Sequence, residues 1–323
     1  MKLHHPLLLL LTISLLTRCT PKESFTDPET IAKDDAFRAA VTTGSFAKLG
    51  AGYTYYEFAN RDADTLLAMV HGFSVPSYIW DSTYHAAVKR GYGTLRYDTY
   101  GRGNSDNPDV VYDVALYAQQ LNDLLNFLNI TKPVNLMGLS DGGRTITAFA
   151  FQYPERIRYL LYVDAAGFEN LAPKDSTASL MVTETEIQSF KQSERYQTMA
   201  AGQLSDFFDS TRFRGWDKKY KEVMKYKGFV RALLSTTKNR TSLENEHRRF
   251  AAAGIPIIAF WGEHDTVVKL EDIRVNLMDR LPKAELFVLP QAGHLPHMEQ
   301  TGMFNSMLFD QVICCERGEQ GIR

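Results

Sequence analysis

The residues Gly138-Leu139-Ser140-Asp141-Gly142 form a G-x-S-x-G match. A serine hydroxyl is a weak nucleophile until a neighbouring base takes its proton. The glycines two before and two after Ser140 are what a sharp strand-to-helix turn needs, because such a turn lifts the Oγ clear of the sheet without clashes. The helix start behind the turn adds a dipole that favours a developing anion. In this arrangement an acid and then a histidine follow the serine in chain order. Asp265 lies in Trp261-Gly-Glu-His-Asp265, and His294 lies in Gln291-Ala-Gly-His294. Each follows a predicted strand, and Asp164, also at a strand end, is the alternative acid. His264 adjoins Asp265 in sequence and is poorly placed to receive its carboxylate. His297 reads as a capping or stacking residue. A His294/His297 metal pair lacks a third ligand, and the proposed chemistry needs no metal or organic cofactor. In His71-Gly72-Phe73, the Phe73 amide would pair with that of Asp141 to form an oxyanion hole. The Phe73 side chain is left to line a substrate pocket, and His71 reads as structural. The chemistry this set could perform is acyl transfer from a carbonyl to Ser140 and then to water.

These groups must be held at strand ends, and the chain predicts such strands. Phe46–Leu49 and Tyr53–Phe58 read as a hairpin around Gly50 and Gly52. Short apolar runs at Thr65–Val70, Gly93–Tyr97, Val134–Met137, Arg158–Val163, Pro256–Trp261 and Glu285–Leu289 read as strands. Helices are expected at Tyr78–Lys89, Asp113–Leu128, Gly142–Tyr153, 269–281 and 303–313. The clearest period is Val114, Tyr117, Leu121, Leu124, Leu125 and Leu128 on one face. Strands alternating with helices imply a mainly parallel sheet covered on both faces. The stretch 168–250 breaks this rhythm. It is helix-rich, with 15 Lys and Arg against 11 Asp and Glu, and reads as a helical insertion, or lid, above the strand ends.

The 323 residues are 44% hydrophobic and 23% charged, which is globular composition and excludes a disordered chain. A net charge of −2 offers no basic field for nucleic acid. Three cysteines, at 19, 314 and 315, make neither a disulfide framework nor a zinc motif. Residues 1–19 read as an export signal, with Lys2 followed by the apolar run Leu7–Leu16, which is too short to span a bilayer. Leu16-Thr17-Arg18-Cys19 resembles the lipobox of bacterial lipoproteins, although Arg18 departs from it. That resemblance makes Cys19 a candidate for lipidation and membrane association, and implies an exported protein of a bacterial cell envelope. The rival is a plain secretory signal. Residues 20–43, polar with Pro21 and Pro28, read as a tether before a core of 44–167 and 251–323.

Together, His71-Gly-Phe73, the loop Asp98-Thr-Tyr-Gly-Arg-Gly-Asn-Ser-Asp106, the elbow Gly138–Gly143, Gly262–Asp265 and Gly293-His294 resemble the α/β-hydrolase superfamily, with a flavour of monoacylglycerol-lipase-like esterases and ring-cleavage C–C hydrolases. The resemblance covers roughly residues 44–314. It implies the α/β-hydrolase fold, an α/β architecture with a mainly parallel eight-stranded sheet, helices on both faces and a lid at 168–250. It implies Ser140, Asp265 and His294 as the triad, and a structural Asp98 loop. One branch of the superfamily uses an Asp nucleophile, but moving the elbow register to Asp141 would put branched Leu139 where a glycine is needed. The chemistry implied is hydrolysis of a carboxylic ester of small-molecule or lipid type. C–C or amide hydrolysis with the same triad, and a non-catalytic binding protein on the same fold, remain open. Phe73, Arg144 and Trp216 are candidate pocket residues, and Arg102 and Arg144 are candidates for binding an acidic group. The aromatic lid residues read chiefly as packing. Chain length, leaving group and oligomeric state are not legible.

Overall fold

The computed structural model describes residues 26–172 and 179–313. The segment read as an export signal, Cys19, Cys314 and Cys315 lie outside these residues. Eight strands form one sheet: β1 Ser45–Leu49, β2 Gly52–Ala59, β3 Leu66–Val70, β4 Gly93–Tyr97, β5 Val134–Leu139, β6 Ile157–Val163, β7 Ile257–Gly262 and β8 Glu285–Leu289. Their order is β1-β2-β4-β3-β5-β6-β7-β8. The hairpin β1–β2 runs antiparallel to β4, and every other pairing is parallel. This is the α/β-hydrolase architecture that the sequence implies.

Around the sheet run α1 Asp35–Ala40, α2 Asp81–Lys89, α3 Val114–Phe127, α4 Asp141–Gln152, α5 Glu184–Lys191, α6 Glu194–Gly202, α7 Trp216–Val223, α8 Phe229–Lys238, α9 Glu244–Ala251, α10 Leu270–Arg280, α11 Pro296–Glu299 and α12 Thr301–Ser306. Strands β3, β5 and β7 are buried along their whole length, as parallel strands covered on both faces must be. Their side chains alternate between two cores. Leu67, Met69, Met137, Leu139 and Phe260 pack with Trp80 and Tyr84 of the α2 side and with Phe304 and Phe309 near the C-terminus. Ala68, Val70, Leu136 and Trp261 pack on the other side with Leu121, Ile146 and Leu277 of α3, α4 and α10. Among the described residues no helix is long and apolar enough to cross a membrane.

The strand order reverses at β3, which pairs with β4 on one side and β5 on the other. Loops leaving β3 and β5 at such a switch point part to opposite faces and leave a crevice between them. From there the ends of β5, β6, β7 and β8 stand side by side, with Leu139 against Val163, Val163 against Phe260, and Gly262 against Leu289. The loops carrying Ser140, Asp164, Asp265 and His294 therefore begin at neighbouring points.

Three expectations change. The C-terminal helix expected at 303–313 is α12 followed by a π-helical turn at Met307–Val312. The segment between β6 and β7 is not uniform: α9 packs against α4 and α10 on the core face, with Phe250 in the core. Residues 26–43 are not a free tether. Ile31 bridges to Tyr226, exchanging backbone hydrogen bonds of 2.9 Å with Lys225 and Lys227. The Glu29 carboxylate accepts from the amides of Gly228 at 2.9 Å and Val230 at 2.7 Å, capping α8. Lys191, nearly fully buried, pairs with Asp27 and Glu29. The polar composition of this stretch serves pairing with the lid.

Replacing Glu29 by Ala leaves two amide donors without their partner and removes one of two carboxylates from Lys191. A loss of about 1–3 kcal/mol in unfolding free energy is expected, read from urea denaturation of the full chain. An unchanged midpoint would show that the strap adds no stability.

Candidate active site

Strand β5 ends at Leu139, and the chain turns into α4 through Ser140. Ser140 has φ 51° and ψ −121°, a region that non-glycine residues occupy only where the surroundings enforce it. The amide of Ser140 donates to the Val163 carbonyl at 3.0 Å, and its carbonyl accepts from Gly143 at 2.8 Å and Ala166 at 2.9 Å. A Cβ at Gly138 would stand 2.6 Å from the Gly142 carbonyl oxygen. One at Gly142 would stand 2.6 Å from the carbonyl oxygens of Val70 and His71. The two glycines are thus required by close backbone approach.

His294 is buried in the loop after β8, and its Nδ1 donates to Asp265 Oδ2 at 2.9 Å. This leaves Nε2 as the basic nitrogen. The other Asp265 oxygen accepts from the amides of Val267 at 2.8 Å and Val268 at 3.0 Å. Burial alone would lower the His294 pKa. The bond to Asp265, with the negative charges of Asp265 and Asp206, outweighs burial and raises it. Asp265, rather than Asp164, therefore faces the imidazole. Asp164 is fully buried, and its Oδ1 accepts from the Gly262 amide at 2.8 Å. Burial, with the adjacent Asp265 charge, pushes the Asp164 pKa well above the usual carboxylate range. Donor atoms of Asp164, Asp265 and His294 lie within 4.8 Å of one another, a spacing that would suit a metal. Both Asp265 oxygens, however, are already occupied by the imidazole and two amides, which is the pattern of a hydrogen-bonded dyad.

Ser140 and His294 line one cavity of about 150 Å³ with Gly72, Phe73, Gln203 and Asp206. A Cβ on Gly72 would lie 3.2 Å from the Ser140 Cβ, which places the His71–Phe73 loop directly against the serine. Among the described residues, the Phe73 and Asp141 amides donate to no protein group, and Asp141 opens α4, where amides are unpaired by construction. His71 holds the loop: Nδ1 donates to the Gly72 carbonyl at 2.8 Å, and Nε2 accepts the Thr99 amide at 3.0 Å. Burial lowers its pKa to about 3, so it stays neutral. Asp98 is likewise structural, accepting from the amides of Ser77 and Asn104.

His264 is stacked on Phe208. His297 donates to the Ile79 carbonyl at 3.0 Å and packs on Trp80. The histidine bonded to Asp265 is His294. Two expected pocket residues sit elsewhere. Arg144 points behind the elbow to Glu169 and the Thr241 carbonyl, because its position on α4 faces that side. Trp216 packs edge-on against Tyr78 and Phe207 within the lid's own core. Arg102 is spent on the carbonyls of Phe73 and Gly101 and on Thr236. Phe73 does line the cavity.

Four residues escaped the sequence reading. Asp206 and Gln203 reach the cavity from the lid. Arg240 pairs with Asp141 at 2.9 Å and covers the Phe73 ring. Glu299, nearly fully buried, accepts from Gly293 at 2.6 Å, Phe208 at 3.1 Å and Asp209 at 3.0 Å, tying the histidine loop to the lid. The Glu-His-Asp and Gly-His clusters draw attention in sequence; single charges in a lid without period do not.

Asp265→Asn removes the charge that raises His294 while keeping an acceptor at Nδ1. The imidazole titration, followed by NMR, is expected to move to lower pH. A histidine titrating unchanged would separate Asp265 from its tuning.

A family model described as "Alpha/beta hydrolase family" matches residues 67–305. The chain is 27% identical to a 2-hydroxy-6-oxononadienedioate/2-hydroxy-6-oxononatrienedioate hydrolase of Comamonas testosteroni, over 83% of this chain and 96% of that one. It is 25% identical to Lipase 3 of a Moraxella species, over 83% and 82%. In fold it is similar to a hydrolase from Pseudomonas aeruginosa, with a TM-score of 0.68 and 22% identity over 84% and 98% of the two chains.

Proposed function

The chain belongs to the alpha/beta hydrolase family, and from that premise we propose that it is a serine hydrolase cleaving a carboxylic ester with a short acyl group. The observation that carries this reading is Ser140, strained at a strand–helix turn, sharing one cavity with a His294 whose Nδ1 is bound to Asp265.

His294 Nε2 takes the Ser140 proton as Oγ attacks the ester carbonyl carbon. The Phe73 and Asp141 amides receive the oxyanion. The C–O bond breaks, the leaving alcohol takes the proton from His294, and an acyl-serine remains. Water repeats the sequence and releases the acid. Asp265 keeps the imidazole in its Nδ1–H tautomer and stabilises its charged form.

The cavity is smaller than the roughly 300–1,000 Å³ of drug-sized sites, which favours short acyl groups over long lipid chains. The lid aromatics pack on one another, as in the stacked pair Phe207–Phe213 at 4.0 Å. The second reading, hydrolysis of an oxodienedioate, draws on the name of the Comamonas relative. Among the described residues no lysine or arginine lines the cavity to receive a carboxylate, which ranks the ester first.

Fluorophosphonate labelling of the protein should give one adduct by intact mass, absent from Ser140→Ala and His294→Ala. Ser140→Ala should lower kcat for short esters on the order of 10³–10⁶-fold. No adduct on folded protein would return the chain to a binding role, and turnover of the dienedioate above every ester would install the second reading. The proposal extends to an exported protein anchored through a lipid on Cys19. Cys19→Ser should release it from the membrane fraction of a bacterial host, and unchanged retention would remove the anchor.

A further inference from the structure

Asp206 sits at the end of a 3₁₀ turn, Gln203–Asp206, in the lid. Its backbone carbonyl accepts from the His294 amide at 2.7 Å. The two residues that follow the adjoining Phe207, Phe208 and Asp209, are held by the Glu299 carboxylate, which also holds Gly293 beside His294. A Cβ on Gly293 would lie 2.6 Å from the Asp206 carbonyl oxygen. Asp206 is therefore fixed to the histidine loop by contacts on both sides, and it does not depend on lid closure for its place.

Asp206 lines the cavity of Ser140 and His294, is half-buried, and no hydrogen bond among the described residues acts on its carboxyl. Burial, helped by the Asp265 charge and opposed by His294, brings its pKa up to about 6, which leaves it ionised at neutral pH. The two cations over the Phe73 ring of the cavity wall are engaged elsewhere: Arg240 with Asp141, and Arg102 with carbonyls and Thr236. Apart from His294, the other groups of the cavity wall are neutral. A half-buried carboxylate without a partner loses water contacts that no protein donor replaces, and the cavity beside it is where a donor would sit.

We propose that Asp206 makes the Ser140 cavity a subsite for a cationic group, an ammonium carried by the acyl or leaving part of the substrate, and bars substrates with a carboxylate there. This rests on the ester-hydrolase reading and adds the charge class of the substrate. The opposite charge is attracted across a short, weakly screened distance, while a carboxylate would meet both repulsion and desolvation.

The test is competitive inhibition of p-nitrophenyl acetate hydrolysis at pH 8 by butylammonium and by butyrate, which have similar chains and opposite charge. Loss of Asp206 also lowers the His294 pKa, which favours the ammonium and so works against the predicted fall in the ratio. In the wild type, butylammonium should bind on the order of 10–100-fold more tightly. Asp206→Asn should bring the ratio to within about threefold of unity, a change that lost packing alone would not cause because it would weaken both inhibitors. Asp206→Ser is the second variant should Asn not fold, as judged by circular dichroism. A wild-type ratio near one, or a ratio unchanged in the folded variant, overturns the subsite. Failure of the wild type to hydrolyse any ester overturns the underlying reading instead, and the two failures are distinct.

Discussion

Everything at this site hangs on the reversal of direction at Ser140. A parallel strand must end, and a helix must start, within one residue, and the backbone reaches this only at φ 51°. The strain is held by three backbone hydrogen bonds to β6, its following loop and α4, and by the bare Cα atoms of Gly138 and Gly142. Those glycines let α4 approach the ends of β3 and β5 closely. That same approach sets Gly72 against Ser140, so the nucleophile and the loop that would hold the oxyanion are positioned by one packing constraint.

Electrostatics then divides labour between two acids on adjacent strands. Two ionised carboxylates buried so close would repel strongly. Asp164 has one amide donor, from Gly262. Asp265 has two amides and the imidazole. More donors converge on Asp265 than on Asp164, and burial pushes the Asp164 pKa up. This explains why the acid on β7, rather than the one on β6, serves the histidine, although both stand at strand ends and both are aspartates.

That choice marks the limit of what the sequence could show. Strands β4 and β8 matched their apolar runs residue for residue, and β3 differed by one, because short apolar runs bounded by turn residues are local signals. The elbow was equally local. Chain order put Asp265 first as the partner of His294, with Asp164 the alternative, and the structure pairs Asp265 with the imidazole; the amide donors that separate the two acids are assembled only by the fold. Arg144 and Trp216 were misplaced because a position near the elbow or in the lid does not say which way a helix presents its side chain. Glu29 reaches amides about 200 residues away, so the strap of residues 26–43 looked like a linker. Asp206 and Glu299 carry no pattern at all; their meaning is a tertiary contact.

The clamp at Glu299 changes how the lid should be viewed. A segment inserted between β6 and β7 could in principle move as a flap over a preformed core. Here its stretch 206–209 is bonded to the histidine loop from both directions, and Arg240 ties a second point of it to Asp141, next to the nucleophile. The lid is therefore joined to the machinery at the base and at the elbow, and displacing it would disturb His294 and Asp141 directly. In the proposed function the core would supply a nucleophile, a base and two amides that serve any acyl centre. The groups able to discriminate among such centres, Asp206 and Gln203, come from the lid. Rigid attachment at those two points is what would allow a structurally irregular insertion to set specificity with the precision of the sheet beneath it.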